Sequence, residues 1–99
     1  MYVIVWEFHA KNGCEREFEK AYGAQGDWAE FFKQGEGYLG TEFLRDPAQP
    51  GRYLTIDRWT SPESYEAFRR ARIDEYGALD RRCEHLTERE LLLGHWVSL

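Results

Sequence analysis

The sequence predicts an α+β fold of the ferredoxin-like type, in which helices cover one face of a four-stranded antiparallel sheet. Two observations predict it. Four segments alternate between faces as strands do, and two longer segments repeat apolar residues at helical spacing. Their order along the chain is strand, helix, strand, strand, helix, strand. Right-handed crossovers over one sheet face then place both helices on the same side.

The predicted first strand runs from Tyr2 to His9, and both of its faces are mostly apolar. One face carries Tyr2, Ile4, Trp6 and Phe8, and the other carries Val3, Val5, Glu7 and His9. After a turn at Gly13, apolar residues recur at helical spacing over residues 18–32. Glycine costs about 1 kcal/mol relative to alanine inside a helix. Because Gly23 and Gly26 interrupt this segment, we expect a break or kink near Gly26.

A hairpin follows, because a loop with two prolines and a glycine separates two alternating segments. Residues 38–45 form the first of these strands, with Leu39, Thr41 and Phe43 alternating with Tyr38, Gly40, Glu42 and Leu44. Residues 53–59 form the second, with Leu54 and Ile56 on one face and Tyr53, Thr55, Asp57 and Trp59 on the other.

The second helix is predicted to begin at Pro62, with Ser61 as its N-cap. Its sheet-facing stripe contains Tyr65, Phe68 and Arg72, and a further helical piece covers residues 74–85. The last predicted strand, residues 90–99, places Leu91, Leu93, His95 and Val97 opposite Leu92, Gly94 and Trp96.

Length and composition limit the function. A chain of 99 residues forms one domain, residues 1–99, with a single core. The formal charge of −5 and the scattered basic residues argue against nucleic acid; Arg69, Arg70 and Arg72 fan over different helix faces as solvated charge. The two cysteines lack disulfide or CxxC spacing, which predicts free thiols in the cytoplasm. No apolar run approaches the roughly 20 residues that cross a bilayer, so no membrane role is expected.

The sheet face without helices is predicted to be apolar, carrying Val3, Val5, Tyr53, Thr55 and Trp59. Because a contiguous apolar face is unfavourable in water, we expect a second protomer to cover it, which gives a homodimer. Asp57, if it lies on that face, could pair across the two-fold axis with Arg45 or Arg52.

Two further features accompany this element order. One strand ends at Trp59 and is followed at once by a helix start with Ser-Pro-Glu-Ser-Tyr, and Gly13 precedes the first helix. With this element order, the chain resembles the antibiotic biosynthesis monooxygenase (ABM) domain family, the dimeric α/β barrels. The resemblance implies a homodimer with a pocket between helices and sheet in each protomer. It also implies, for some members, oxygenation of quinols or polycyclic phenols without metal, flavin or haem; others have no known reaction.

The haem-degrading branch of the same superfamily uses an Asn on the first strand, a Trp in a later helix and a His about ten residues after it. This chain has Trp6, Phe68 and Ala78 at the corresponding ungapped positions, so the resemblance does not extend to haem binding. His85 is near enough to the last of these positions to be the one alternative ligand.

Cofactor-free oxygenation requires a base, hydrogen-bond donors for an oxyanion and an aromatic pocket. The histidines His9, His85 and His95 are candidate bases, because a neutral imidazole accepts a proton near pH 6.5. The predicted catalytic residues are His9, Tyr65 and Arg72, and the predicted substrate-binding residues are Trp6, Phe8, Trp28, Phe68 and Tyr76. The histidine spacing indicates no metal site.

Three functions are consistent with these residues. The first is a small homodimeric monooxygenase that acts on an aromatic, quinol-like substrate without a cofactor. The second is a non-catalytic dimeric module that binds a small aromatic ligand or another protein. The third is an isomerase or decarboxylase on the same barrel, which uses the same base but consumes no oxygen.

Overall fold

The computed structural model covers all 99 residues and confirms the ferredoxin-like fold. Its four strands pair antiparallel in the order β2-β3-β1-β4. Both predicted helical segments are divided in two, and a short 3-10 turn at Glu84–Leu86 precedes the last strand. The elements are β1 Tyr2–Ala10, α1 Glu15–Tyr22, α2 Asp27–Phe32, β2 Tyr38–Arg45, β3 Arg52–Trp59, α3 Pro62–Ala71, α4 Ile73–Cys83 and β4 Thr87–Val97.

The predicted break near Gly26 is confirmed, since α1 ends at Tyr22 and α2 begins at Asp27. The Gly26 amide donates a hydrogen bond to the Gly23 carbonyl at 2.9 Å, which closes a turn between the helices. A Cβ on Gly26 would lie only 2.4 Å from the Lys20 carbonyl oxygen, so no larger residue fits this approach.

The start of α3 is also as predicted. The Ser61 hydroxyl accepts a hydrogen bond from the Ser64 amide at 3.1 Å, and Pro62 occupies the first turn. This cap fixes the point at which the chain leaves Trp59 and turns over the sheet, and so it sets the position of Tyr65.

Strand pairing corrects the prediction of which residues lie on the open sheet face. Trp59 lies opposite Tyr2, Thr55 opposite Trp6 and Tyr53 opposite Phe8. Residues directly opposite on antiparallel strands share a face, so all of these side chains point toward the helices. The open face instead carries Leu54 and Ile56 beside Val3 and Val5. Alternation correctly predicts which residues share a face within β1 and within β3, but the register that joins the two strands cannot be seen in either strand alone.

Two β-bulges change the predicted faces of the edge strands. Leu39 is the extra residue in β2, so Tyr38 joins Thr41 and Phe43 on the helix-facing side. Leu93 is an extra residue in β4, so Leu92 and Glu90 share that side with His95 and Val97, whereas Leu91 and Trp96 lie on the open face.

The core lies between the sheet and the helices and is dominated by aromatic rings. Trp59 and Phe18 have the largest fully buried side chains. The Trp59 ring packs 5.3–5.7 Å, between ring centres, from four other rings, those of Phe32, Tyr38, Tyr65 and Phe68. None of the helices combines the length and apolar character needed to span a membrane.

Candidate functional site

A cavity of about 230 Å³ opens between the helix-facing side of the sheet and the helices. Pockets for drug-sized ligands occupy about 300–1,000 Å³, so this volume suits a single-ring molecule. The lining consists of nine hydrophobic residues and six others: Ile4, Trp6, Phe8, Tyr22, Trp28, Ala29, Phe32, Thr41, Thr55, Asp57, Tyr65, Arg69, Tyr76, Asp80 and Glu90.

Aromatic rings form most of the cavity wall. Trp6 and Phe8 from β1 lie with ring centres 6.1 Å apart, and on the helical side Trp28 packs edge-on against Tyr76 at 5.1 Å. Tyr22 extends this wall, 6.1 Å from Trp28. Flat apolar walls of this kind favour an aromatic ligand that stacks or packs edge-on.

Asp57 supplies the carboxyl group in this apolar surrounding. It lies on β3 between Ile4 of β1 and Thr41 of β2. The Thr41 hydroxyl donates a hydrogen bond to Asp57 Oδ1 at 2.7 Å, and the Tyr38 hydroxyl lies 2.6 Å from Thr41 Oγ1. Because the Thr41 proton is directed to Asp57, Tyr38 is the donor to Thr41. Asp57 forms no salt bridge.

Burial raises the pKa of Asp57 to about 6, and the hydrogen bond from Thr41 opposes this rise only in part. The carboxyl group is therefore largely ionised at neutral pH, yet it is much more basic than an ordinary aspartate. A group whose pKa lies close to the working pH is well suited to accept a proton and release it again.

Two tyrosine hydroxyls face the same space. Burial raises the pKa of Tyr65, and the neighbouring Tyr76 raises it further. Burial also raises the pKa of Tyr76, while the neighbouring Tyr65 lowers it in part. Both groups stay protonated at neutral pH and can donate hydrogen bonds to an oxyanion.

The cavity meets solvent at three charged residues, Arg69, Asp80 and Glu90, which we call the mouth because they are the exposed members of the lining. The Arg69 guanidinium lies 5.1 Å from the centre of the Tyr76 ring. Partial burial raises the pKa of Glu90, and the nearby Asp80 raises it further. The Thr87 hydroxyl donates to Glu90 Oε1 at 3.2 Å.

The structure brings Tyr65, Trp6, Phe8, Trp28 and Tyr76 together around the cavity. It places the other three predicted site residues elsewhere. Phe68 is buried behind the cavity, 5.4 Å from Trp59 between ring centres. His9 lies on the open sheet face, where its Nε2 is 2.7 Å from Glu7 Oε2. Arg72 is outside the cavity and donates to Gln34 and Glu75.

No histidine lines the cavity. His85 is exposed, 3.8 Å from Glu17, and His95 is exposed with its ring centre 5.7 Å from that of Tyr2. The structure contains no group of three or more His, Cys, Asp or Glu side chains arranged to hold a metal ion.

Asp57 is one of the lining residues that sequence reasoning missed, and its predicted pairing with Arg45 or Arg52 is wrong. Asp57 faces the helices, whereas Arg52 donates to Glu7 at 3.0 Å and to Asp46 at 2.8 Å. A signal was present, since Asp57 alternates with the same face as Trp59. A carboxylate on a core-facing position is rare unless it is paired or functional.

The model of one family, described as antibiotic biosynthesis monooxygenase, matches residues 1–78, which is most of the chain. The chain belongs to the antibiotic biosynthesis monooxygenase family. Among curated proteins, no sequence matches it. The family match includes β1–β3 and α3, and thus Asp57 and Tyr65.

Several solved structures have a similar fold. SnoaB, a cofactor-independent oxygenase from Streptomyces nogalater, is 20% identical with a TM-score of 0.71, covering 99% of this chain and 92% of SnoaB. An antibiotic biosynthesis monooxygenase is 12% identical with a TM-score of 0.74, covering 100% and 99%. A variant of MhuD with two manganese protoporphyrin IX molecules per active site is 21% identical with a TM-score of 0.73, covering 100% and 95%. At these identities the likeness establishes the fold.

Proposed function

We propose that this ABM protein is a monooxygenase that acts on a small aromatic, quinol-like substrate without a metal, flavin or haem. The observation that carries the proposal is the Asp57 carboxyl group in an aromatic cavity of one-ring size, facing two protonated tyrosines. Membership of the family and the SnoaB fold support it. The proposed site keeps Tyr65 and Tyr76 from the sequence-based hypothesis and takes Asp57 as the base.

The proposed reaction begins with proton transfer from a substrate hydroxyl to Asp57. Ionised Asp57 accepts the proton, while Tyr65 and Tyr76 donate hydrogen bonds to the phenolate that forms. The electron-rich phenolate then gives electrons to molecular oxygen. With a hydroquinone, one oxygen atom enters the ring, two hydrogens leave, and the second oxygen atom departs as water, so hydroquinone and oxygen yield hydroxyquinone and water.

Oxygen uptake by metal-stripped protein tests the proposal. A panel of single-ring hydroquinones and phenols, with an anthrone as a larger comparison, is expected to show uptake above the uncatalysed rate for the single-ring members. Release of an isomer or of carbon dioxide without oxygen consumption would instead indicate the isomerase or decarboxylase chemistry. Saturable binding with no turnover of any kind would indicate a binding module.

Haem is a second candidate ligand, because the MhuD variant holds a metalloporphyrin. The cavity does not fit haem. Its lining contains no His, Cys or Met, and its tyrosines are protonated rather than ionised. Three carboxyl groups and one guanidinium line the cavity, which disfavours the anionic propionates of haem. No step of the proposed reaction therefore involves haem.

We also propose that two copies of the chain associate through the open sheet face. Its centre is apolar, with Val5 next to Ile56 on β3 and Gly94 on β4. Trp96 lies on the same face and is 54% exposed in the single chain. A two-fold axis would bring this patch onto an identical one and remove the Trp96 ring from water.

Sedimentation at about 10 µM is expected to give a dimer for the native protein and a monomer for Ile56→Lys, because lysine would place an unpaired charge in the interface. Ile73→Lys is the matched control, since Ile73 is exposed on α4, away from the open face. A native protein that sediments as a monomer would remove the sheet-to-sheet interface.

A further inference from the structure

The charges around the cavity are unbalanced. Asp57, Asp80 and Glu90 contribute three carboxyl groups, and Arg69 is the one basic side chain of the lining. None of these four residues takes part in a salt bridge. By contrast, the buried carboxylate of Glu7 on the open sheet face is paired with Arg52 at 3.0 Å. The lining therefore has an excess of carboxyl groups that no basic side chain pairs with.

Asp80 and Glu90 approach each other across the mouth, one from α4 and the other from β4. Each affects the same tyrosine, because the pKa of Tyr22 is raised chiefly by burial and further by both carboxylates. Burial is the main cause that raises the pKa of Tyr76, and Asp80 raises it further. Asp80 and Glu90 line the same cavity as the aromatic residues Tyr22 and Tyr76.

Arg69 does not neutralise this pair. Its guanidinium stacks on Tyr76 at 5.1 Å from the ring centre and forms no ion pair with either carboxylate. Deeper in the cavity, the sole hydrogen-bond partner of Asp57 is Thr41, on Oδ1. A half-buried carboxyl group with a single hydrogen-bond partner, in an aromatic cavity whose mouth carries two more carboxylates, favours a ligand that has hydrogen-bond donors.

We propose that the cavity selects phenols that also carry a protonated amine, which Asp80 and Glu90 bind at the mouth. A protonated amine is attracted by both carboxylates and by the faces of aromatic rings such as Tyr22 and Tyr76. This orientation directs the phenolic end inward to Asp57 and Tyr65. The inference rests on the proposed function for the phenolic end, but amine recognition is a binding property that is measured without turnover.

Three ligands with the same ring test it by isothermal titration calorimetry. Tyramine carries the cation, 4-propylphenol replaces the ammonium by methyl, and 3-(4-hydroxyphenyl)propionate carries an anion. Tyramine is expected to bind about tenfold more tightly than 4-propylphenol, and the anion more weakly than either. The preference should shrink as salt is added, because Asp80 and Glu90 are exposed.

Variants assign the preference to the two residues. Asp80→Asn combined with Glu90→Gln is expected to bind tyramine and 4-propylphenol within about twofold of each other, whereas Glu88→Gln, an exposed β4 residue outside the lining, keeps the native preference. Equal affinities in the native protein overturn the inference, as does a preference that survives the double variant. Absence of binding by all three ligands to folded protein, checked by near-UV circular dichroism, also overturns it.

Turnover separates this inference from the proposed function. A tyramine preference in binding without oxygen uptake would leave amine recognition intact and reject the monooxygenase. Oxygen uptake with neutral phenols but no amine preference would support the monooxygenase and reject amine recognition.

Discussion

Asp57→Asn is expected to lower kcat by about 10²-fold or more in the oxygen-uptake reaction. Removal of a positioned general base typically costs about 10²–10⁴-fold. Asparagine retains the shape of the side chain and an oxygen that can accept the hydrogen bond that Thr41 donates at 2.7 Å. The loss would therefore report the missing basic group and not a rearranged cavity. Asp74→Asn is the matched control, because Asp74 is an exposed acid on α4 outside the lining.

The same substitution should change the pH profile. Asp57 accepts a proton only when it is ionised, so native kcat/KM is expected to rise through a pKa of about 6 and level off above it. The variant should lack this rise. Retained activity in Asp57→Asn with loss in His9→Ala or Arg72→Ala would contradict the proposed base and favour the residues that the sequence alone suggested.

Stability supplies a second readout for Asp57→Asn. The folded protein holds the pKa of Asp57 at about 6, above the ordinary value of 3.8, so folding favours the protonated carboxyl. The stabilisation of the folded state that comes from protonated Asp57 is complete below pH 3.8 and is lost as the pH rises through about 6. The shift amounts to about 3 kcal/mol at most. The variant lacks this loss, so it should unfold at a higher temperature than the native protein at pH 8, with a smaller difference near pH 4.

A destabilising group of this kind in the proposed active site is consistent with the general trade-off between stability and activity. A native protein that is the more stable of the two at pH 8 would mean that the carboxylate is better solvated than the cavity geometry indicates. Thermal melts at a fixed protein concentration make the comparison, since association itself shifts the melting temperature.

The sequence predicted the elements better than it predicted the site. Local signals decide where a helix starts or breaks. The Ser61 hydroxyl caps the start of α3, and the absence of a side chain at Gly26 permits the turn between α1 and α2. The face that Asp57 occupies depends on the register between β1 and β3, which is a property of two distant segments. The bulge at Leu39, which aligns Tyr38 with Thr41, is likewise invisible in a pattern of strict alternation.

The predicted site residues differ in the same way, because some depend only on burial and others depend on strand register. The aromatic residues of the predicted pocket lie at the cavity because large rings on helix-facing positions have nowhere else to go. The chemistry of their side chains makes His9 and Arg72 candidates, but neither faces the cavity. Side-chain chemistry without strand register therefore predicts two residues that lie away from the proposed site.

Trp59→Ala is expected to lower the free energy of unfolding by about 3–5 kcal/mol, the usual cost of truncating a buried tryptophan. Its side chain is 0% exposed and sits among Phe32, Tyr38, Tyr65 and Phe68, so no neighbour can move into the space without leaving its own contacts. Domains of this size have about 5–15 kcal/mol of stability in total. Urea denaturation followed by circular dichroism measures the change.

Trp59→Phe keeps the experiment interpretable if the alanine variant fails to fold. Phenylalanine fills most of the space and removes the Trp59 indole N–H, which has no hydrogen-bond partner. Loss of an unsatisfied buried donor offsets part of the packing loss, so Trp59→Phe should cost clearly less than Trp59→Ala. Ile73→Ala, at an exposed position on α4, is expected to change stability by less than about 0.5 kcal/mol. If both Trp59 variants have the same urea midpoint of unfolding as the native protein, Trp59 does not hold the helices on the sheet and the described core is wrong.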